Sequence, residues 1–117
     1  MGKKEKKGNG TGGVRFQPHF RKFKNAKFTG HPQYVYDEDG NRYKVIGITK
    51  SPETNGIKNV LLERNPEPGN SAKAYLRPKP DKVEKGVRNE RLKGWKFVDS
   101  DKKKVRRIID AHDKKKR

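Results

Sequence analysis

The chain has 117 residues, a one-domain length. Only 27% are apolar and 39% are charged, against averages near ~45–50% and ~25%, which excludes a large packed enzyme core. Lys and Arg total 32 against 14 Asp and Glu, a net charge of +18 that points to a polyanionic partner, because solubility alone needs far less.

The excess is uneven: residues 1–30 carry a net +8, residues 31–99 a net +4 and residues 100–117 a net +6. This predicts a modestly basic body with basic appendages. Residues 1–13 (MGKKEKKGNGTGG) combine repelling lysines with glycines and almost nothing apolar to bury, which predicts a disordered basic tail. Residues 14–30 form a basic aromatic arm, in which Phe16, Phe20, Phe23 and Phe28 interleave with Arg15, Arg21, Lys22, Lys24 and Lys27. The first three Phe have helical i, i+4, i+7 spacing, while Pro18 and the glycine flanks oppose a helix. A short helix and an extended arm that folds on binding both remain open. The rings either dock on a sheet and complete a thin core, or stack on bases.

Residues 31–113 are expected to form a single α+β domain. Asp39-Gly40 reads as the type I′ turn of a hairpin, with Asp37 opposite Arg42, Tyr36 opposite Tyr43 and Tyr34 opposite Val45. Gly47, inside the second strand, marks a bulge or a close approach. Residues 51–56 (SPETNG) read as a loop, 57–63 as a third strand and 72–77 as a short edge strand stopped by Pro78 and Pro80. Residues 81–94 read as a loop with at most one helical turn, and WKFV (95–98) as a last strand with Trp95 and Phe97 on one side. Residues 100–113 read as the one long helix, N-capped by Ser100, with Asp101 at its positive end. Val105, Ile108, Ile109 and His112 form its apolar stripe. Residues 114–117 are a basic C-terminal tail. The expected fold is thus a small, strongly bent antiparallel sheet of four to five strands, tending towards a barrel, with a C-terminal amphipathic helix. Its expected core is Tyr34, Tyr36, Tyr43, Val45, Ile48, Val60, Leu62, Trp95, Phe97, Val105, Ile108 and Ile109.

Function follows from charge and aromatics together. Single-stranded nucleic acid is held by cations along its backbone and by rings stacked on its bases. The candidate contacts are Arg15, Phe16, Phe20, Arg21, Lys22, Phe23, Lys24 and Lys27 of the arm, Arg77 and Lys79, and Lys103, Arg106 and Arg107 of the helix. RNA or single strands are favoured over duplex DNA by the Phe-rich arm. Arg77-Pro78-Lys79-Pro80, with Arg64, Arg88 and Arg91, reads as a phosphate-binding rim at one end of the sheet. A second possibility is a small metal-independent ribonuclease, for which His31, Glu63, Arg64, Arg77 and Lys79 supply acid, base and cation. A third is an inhibitor of phage type that binds an acidic host protein. His19, His31 and His112 lack metal-ligand spacing, and there is no Cys, so no metal or cofactor is expected. No apolar run exceeds three residues, and the helix lacks the bulky apolar face of a membrane-surface helix. The expectation is a monomeric, cytoplasmic protein with no membrane partner.

The segments GHPQYVY…GNRYKVIGIT, IKNVLLERNPEP…AYLRPKP and LKGWKF resemble a group of small basic proteins of phages and mobile elements in Gram-positive bacteria. That resemblance covers about residues 28–110 and implies a bacterial cytosolic setting, with no activity to carry over. The small, basic α+β character is also similar to compact RNase toxins of the RelE or barnase type. Those folds place helices before the sheet, whereas here the helix comes last.

Overall fold

Alternating aromatic and aliphatic residues between 33 and 49 build a long hairpin, and the other strands assemble around it. The structure is a computed structural model that describes residues 15–25, 27 and 31–115. The expected tail at 1–13, Phe28 of the arm and the last two residues of the C-terminal tail lie outside the described residues. In chain order the strands are β1 (His19–Phe23), β2 (Gln33–Asp39), β3 (Arg42–Thr49), β4 (Glu53–Thr54), β5 (Ile57–Lys58), β6 (Val60–Leu61), β7 (Tyr75–Leu76), β8 (Asp81–Glu84) and β9 (Asn89–Leu92). The helix α1 (Asp99–Lys115) follows. The chain is α+β with a C-terminal helix.

The main sheet has seven strands rather than four or five, in the order β6-β7-β3-β2-β1-β9, with β8 also on β3. All pairings are antiparallel. Long β3 is shared along one edge: β8 takes Arg42 to Val45, and β7 takes Ile48 and Thr49. Only residues 85–88 join β8 to β9, although β8 pairs with β3 and β9 with β1. Such a short link forces the sheet to curl strongly. Among the described residues β8 and β9 do not pair, so no barrel closes.

The arm is part of this sheet. β1 lies between β2 and β9, so residues 19–23 belong to the folded body. The helical spacing of the Phe residues has another origin. In a strand, residues three apart point to opposite faces, and Phe20 and Phe23 fill two different cores. Phe20, 3% exposed, joins Ile46, Ile48, Leu62, Leu76 and Phe97 beneath Val105 and Ile108 of α1. Its ring lies 5.0 Å from those of Tyr34 and Phe97 and 5.7 Å from that of Trp95. Phe23, 2% exposed, packs on the other face with Val35, Val45 and Val83. Each buried ring contributes on the order of 1.5–3 kcal/mol.

The hairpin is where expected, but its register is different. The turn is Gly40-Asn41, with φ +62° at Gly40 and Asp39 opposite Arg42. Positive φ at the first central residue alone is the type II′ pattern. Asp37 therefore faces Lys44 and Glu38 faces Tyr43. A bulge between Val35 and Asp37 then shifts the register, so that Val35 faces Val45 and Tyr34 faces Ile46. The expected Tyr36–Tyr43 pair does not form. Tyr36 packs with the helix-side core and Tyr43 with the other one, the usual consequence of a one-residue slip.

Four other expectations need correction. Residues 81–94 hold two strands, because backbone pairing to β3 and β1 overrides their polar composition. The strand expected at 57–63 is split at Asn59: β5 pairs with β4 as a separate ribbon, and β6 with β7. The ribbon turns at Asn55-Gly56, both at positive φ, which is the type I′ geometry. β7 is an interior strand between β6 and β3, not an edge. Residues 95–98 are irregular: the Lys96 N–H bonds the Pro66 carbonyl, while Trp95 and Phe97 still pack on one core.

Helix α1 buries the expected stripe through Val105 and Ile108, with Ile109 packed beside them. Ser100 is not its cap. The Val98 carbonyl accepts the Lys102 N–H at 3.0 Å, and the Ser100 hydroxyl donates to Glu63 instead. Fully buried Asp101 accepts the Glu63 N–H at 2.8 Å and the Arg64 N–H at 3.2 Å, with Lys104 at 3.3 Å. It thereby ties the chain after β6 to the first turn of the helix.

Candidate nucleic-acid interface

Gly47, inside β3, sets up the best-formed cationic site. The Arg77 N–H donates to the Gly47 carbonyl at 2.9 Å, which brings the chain after β7 alongside β3. The Arg77 side chain then crosses the bare α-carbon. A Cβ at position 47 would stand 3.1 Å from Arg77 Cγ and 3.4 Å from Gln33 Nε2. Gln33 is itself buried at 3% exposure, and its amide donates to the His31 carbonyl at 3.4 Å.

The result is a cleft of about 660 Å³ lined by Lys27, His31, Gln33, Glu53, Arg77, Lys79 and Asp81, among others. Lys27 pairs with Asp81 at 2.6 Å. Half-buried Arg77 has no carboxylate: its guanidinium makes no ion pair or hydrogen bond among the described residues, and its Nε is buried without an acceptor. An unsatisfied buried donor costs about 1–3 kcal/mol. Exposed Lys79 and His31 flank the same space. The cleft therefore presents a seated, uncompensated guanidinium together with an exposed ammonium and an imidazole.

The other candidate residues are distributed. Arg21 sits on β1, where it donates to His19 and Asn89 and stacks over Tyr43 at 5.3 Å. Burial first, and then the charges of Arg21 and Arg91, hold the His19 imidazole below its usual pKa; its bond to the Gln17 carbonyl pulls the other way. Half-buried Phe16 lies beside His19, ring centroids 5.6 Å apart. Arg15, Lys22 and Lys24 are exposed, with Lys22 opposite Glu90. Lys103 and Arg107 are exposed on α1, away from the Val105–Ile108 stripe. Arg106 lines a groove with Tyr34, Tyr36, Lys44 and Lys102.

Two candidates are withdrawn as base contacts: Phe20 and Phe23 are core residues, because a central strand buries both faces. The single phosphate-binding rim does not form either. Arg77 and Lys79 share the cleft with Lys27, whereas Arg64 lines a different cavity, in the loop from Leu62 to Ala74, and Arg91 lies on β9. Of the acid–base set, His31, Arg77 and Lys79 converge, while Glu63 and Arg64 do not. Glu53 and Gln33 take part without a clear signal in the sequence. Gly47 did carry one, as a glycine interrupting a buried strand.

Among the described residues no helix is long and apolar enough to cross a membrane. No family model, curated protein or solved structure matches the chain.

Proposed function

We propose that the protein binds nucleic acid through the phosphate backbone, with the Arg77 cleft as one contact. The observation that carries this reading is Arg77 itself: a half-buried guanidinium, seated over Gly47, with no anion of its own in a chain of net charge +18. A phosphodiester supplies the missing acceptors in the planar geometry that Arg matches. The preference for single strands rested on the Phe-rich arm. With Phe20 and Phe23 in the core, backbone contact is the better supported mode, and single strands and duplexes become two arms of the test. Fluorescence anisotropy with a short labelled RNA and a duplex of the same sequence measures it. Arg77→Gln is expected to weaken binding by about tenfold or more, the value of one charge-assisted contact. Unchanged affinity in a folded variant refutes the assignment.

One observation favours a second reading, phosphodiester cleavage. His31, Glu53, Arg77 and Lys79 line the same cleft. In metal-independent RNA cleavage the 2′-oxygen bonds to phosphorus and the bond from phosphorus to the 5′-oxygen breaks. Glu53 would take the 2′-hydroxyl proton, protonated His31 would give one to the leaving oxygen, and Arg77 and Lys79 would face the phosphorane charge. Labelled RNA incubated with the protein in EDTA decides between the readings. Binding without cleavage leaves the first and removes the second.

A further inference from the structure

β1 and β9 set two like charges face to face. Arg21 is directly opposite Arg91, so their side chains leave the same side of the sheet with Cβ atoms about 5 Å apart, an arrangement that destabilises a strand pair. The adjacent rung avoids this, placing Lys22 against Glu90. Among the described residues no carboxylate bonds either arginine.

Arg21 is nevertheless held in place. Its Nε donates to His19 Nε2 at 2.8 Å, and its Nη1 to Asn89 Oδ1 at 2.6 Å. Both acceptors are themselves oriented. His19 Nδ1 lies 2.8 Å from the Gln17 carbonyl; a carbonyl only accepts, so the ring proton is on Nδ1 and Nε2 is free to receive Arg21. The Asn89 amide donates to the Val87 carbonyl at 2.7 Å, which turns its oxygen towards Arg21. The Tyr43 ring lies beneath the guanidinium. Every partner is neutral. They fix the direction of the guanidinium and leave its charge unmatched, with Nη2 unused among the described residues and exposed Arg91 beside it. Ion pairing for stability would use an acid at position 91, as the neighbouring rung does. One oriented guanidinium with a second unneutralised arginine beside it is the arrangement that receives an oxyanion.

We infer that Arg21 and Arg91 grip one backbone phosphate of a nucleic-acid strand, at a site separate from the Arg77 cleft. The inference rests on the nucleic-acid reading above. It assigns Arg91, and gives His19 and Asn89 the part of positioning residues.

The test is Arg91→Glu in the full chain, read by thermal unfolding and by anisotropy with a short labelled RNA. The unfolding midpoint is expected to rise, because Glu at 91 faces Arg21 as Glu90 faces Lys22. RNA affinity is expected to fall by about tenfold or more. Arg91→Gln, which adds no acid, should lose less affinity and flatten the salt dependence by about 0.7 per phosphate contact removed from a single strand. Unchanged affinity in both variants overturns the site, and so does a lower midpoint in Arg91→Glu, which would make Arg91 structural. Arg77→Gln, measured in parallel, separates the two claims. If it loses affinity while the Arg91 variants do not, nucleic-acid binding stands and this site falls. If the unmodified protein binds no RNA, both fall.

Discussion

Gly47→Ala links the fold to the cleft with the smallest possible change. The added methyl would sit 3.1 Å from Arg77 Cγ and 3.4 Å from the buried Gln33 amide, closer than carbon atoms settle at their optimum of about 3.5–4.0 Å. Ile46 and Ile48 on either side are fully packed, so β3 cannot retreat. The Arg77 stem has to move by a few tenths of an ångström, and its guanidinium by more at the end of the lever. Overpacking of this kind costs about 1–3 kcal/mol, here at the low end because a flexible side chain yields. Binding should fall by about tenfold, most of one charge-assisted contact. The decisive assay is a double-mutant cycle with Arg77→Ala, read by RNA affinity and by urea unfolding. If Gly47 acts by seating Arg77, Gly47→Ala adds no further binding loss once Arg77 is gone. Additive losses would refute the reasoning.

Other consequences are open to direct measurement. Asp101→Ala strands the Glu63 and Arg64 N–H groups, while the Lys104 ammonium keeps the Leu61 carbonyl; it should cost about 2–4 kcal/mol in a denaturant titration, and a loss below about 1 kcal/mol would contradict its tie between the loop and the helix. Phe20→Ala should cost about 3–5 kcal/mol, a large part of the whole stability, whereas half-buried Phe16→Ala should leave a folded chain by circular dichroism; equal losses would contradict the two placements. Burial first, then Asp113 and Asp37, push the Tyr36 phenol up to about 12. Its raised pKa means stability that is complete below the unfolded value near 10 and is lost as pH climbs through the folded one. An absorbance titration should show Tyr36 ionising late, and Asp113→Asn should bring it earlier; a Tyr36→Phe variant with an identical alkaline curve would refute the assignment.

Helix α1 was legible because its period and its terminal charges agree: Val105, Ile108 and Ile109 repeat at helical spacing over a run with no Gly or Pro. The hairpin was legible in place but not in register. A turn displaced by one residue and a bulge at Tyr36 leave the alternation looking the same, and only long-range pairing settles it. β8 and β9 carry Asp81, Lys82, Glu84, Asn89, Glu90 and Arg91, a composition that reads as loop; they are strands because β3 and β1 offer them free edges. β1 was hidden by coincidence, since Phe20 and Phe23 serve two cores at a spacing that also fits a helix. In the cleft, the Arg77–Lys79 pair and the close approach at Gly47 were each visible locally. The acid–base set grouped His31 with that pair, but it named Glu63 where the cleft has Glu53, because the carboxylate depends on how β3, β7 and the β4–β5 ribbon come together.

The salt dependence of binding is the most direct test of a cationic scaffold used against polyphosphate. With the full chain and a short single-stranded RNA, the slope of log affinity against log salt is about −0.7 per phosphate neutralised. Contacts from Arg21 with Arg91, Arg77, Lys79 and the helix surface imply a slope of about −3. A slope near zero, with the protein folded throughout, would contradict the proposal at its base.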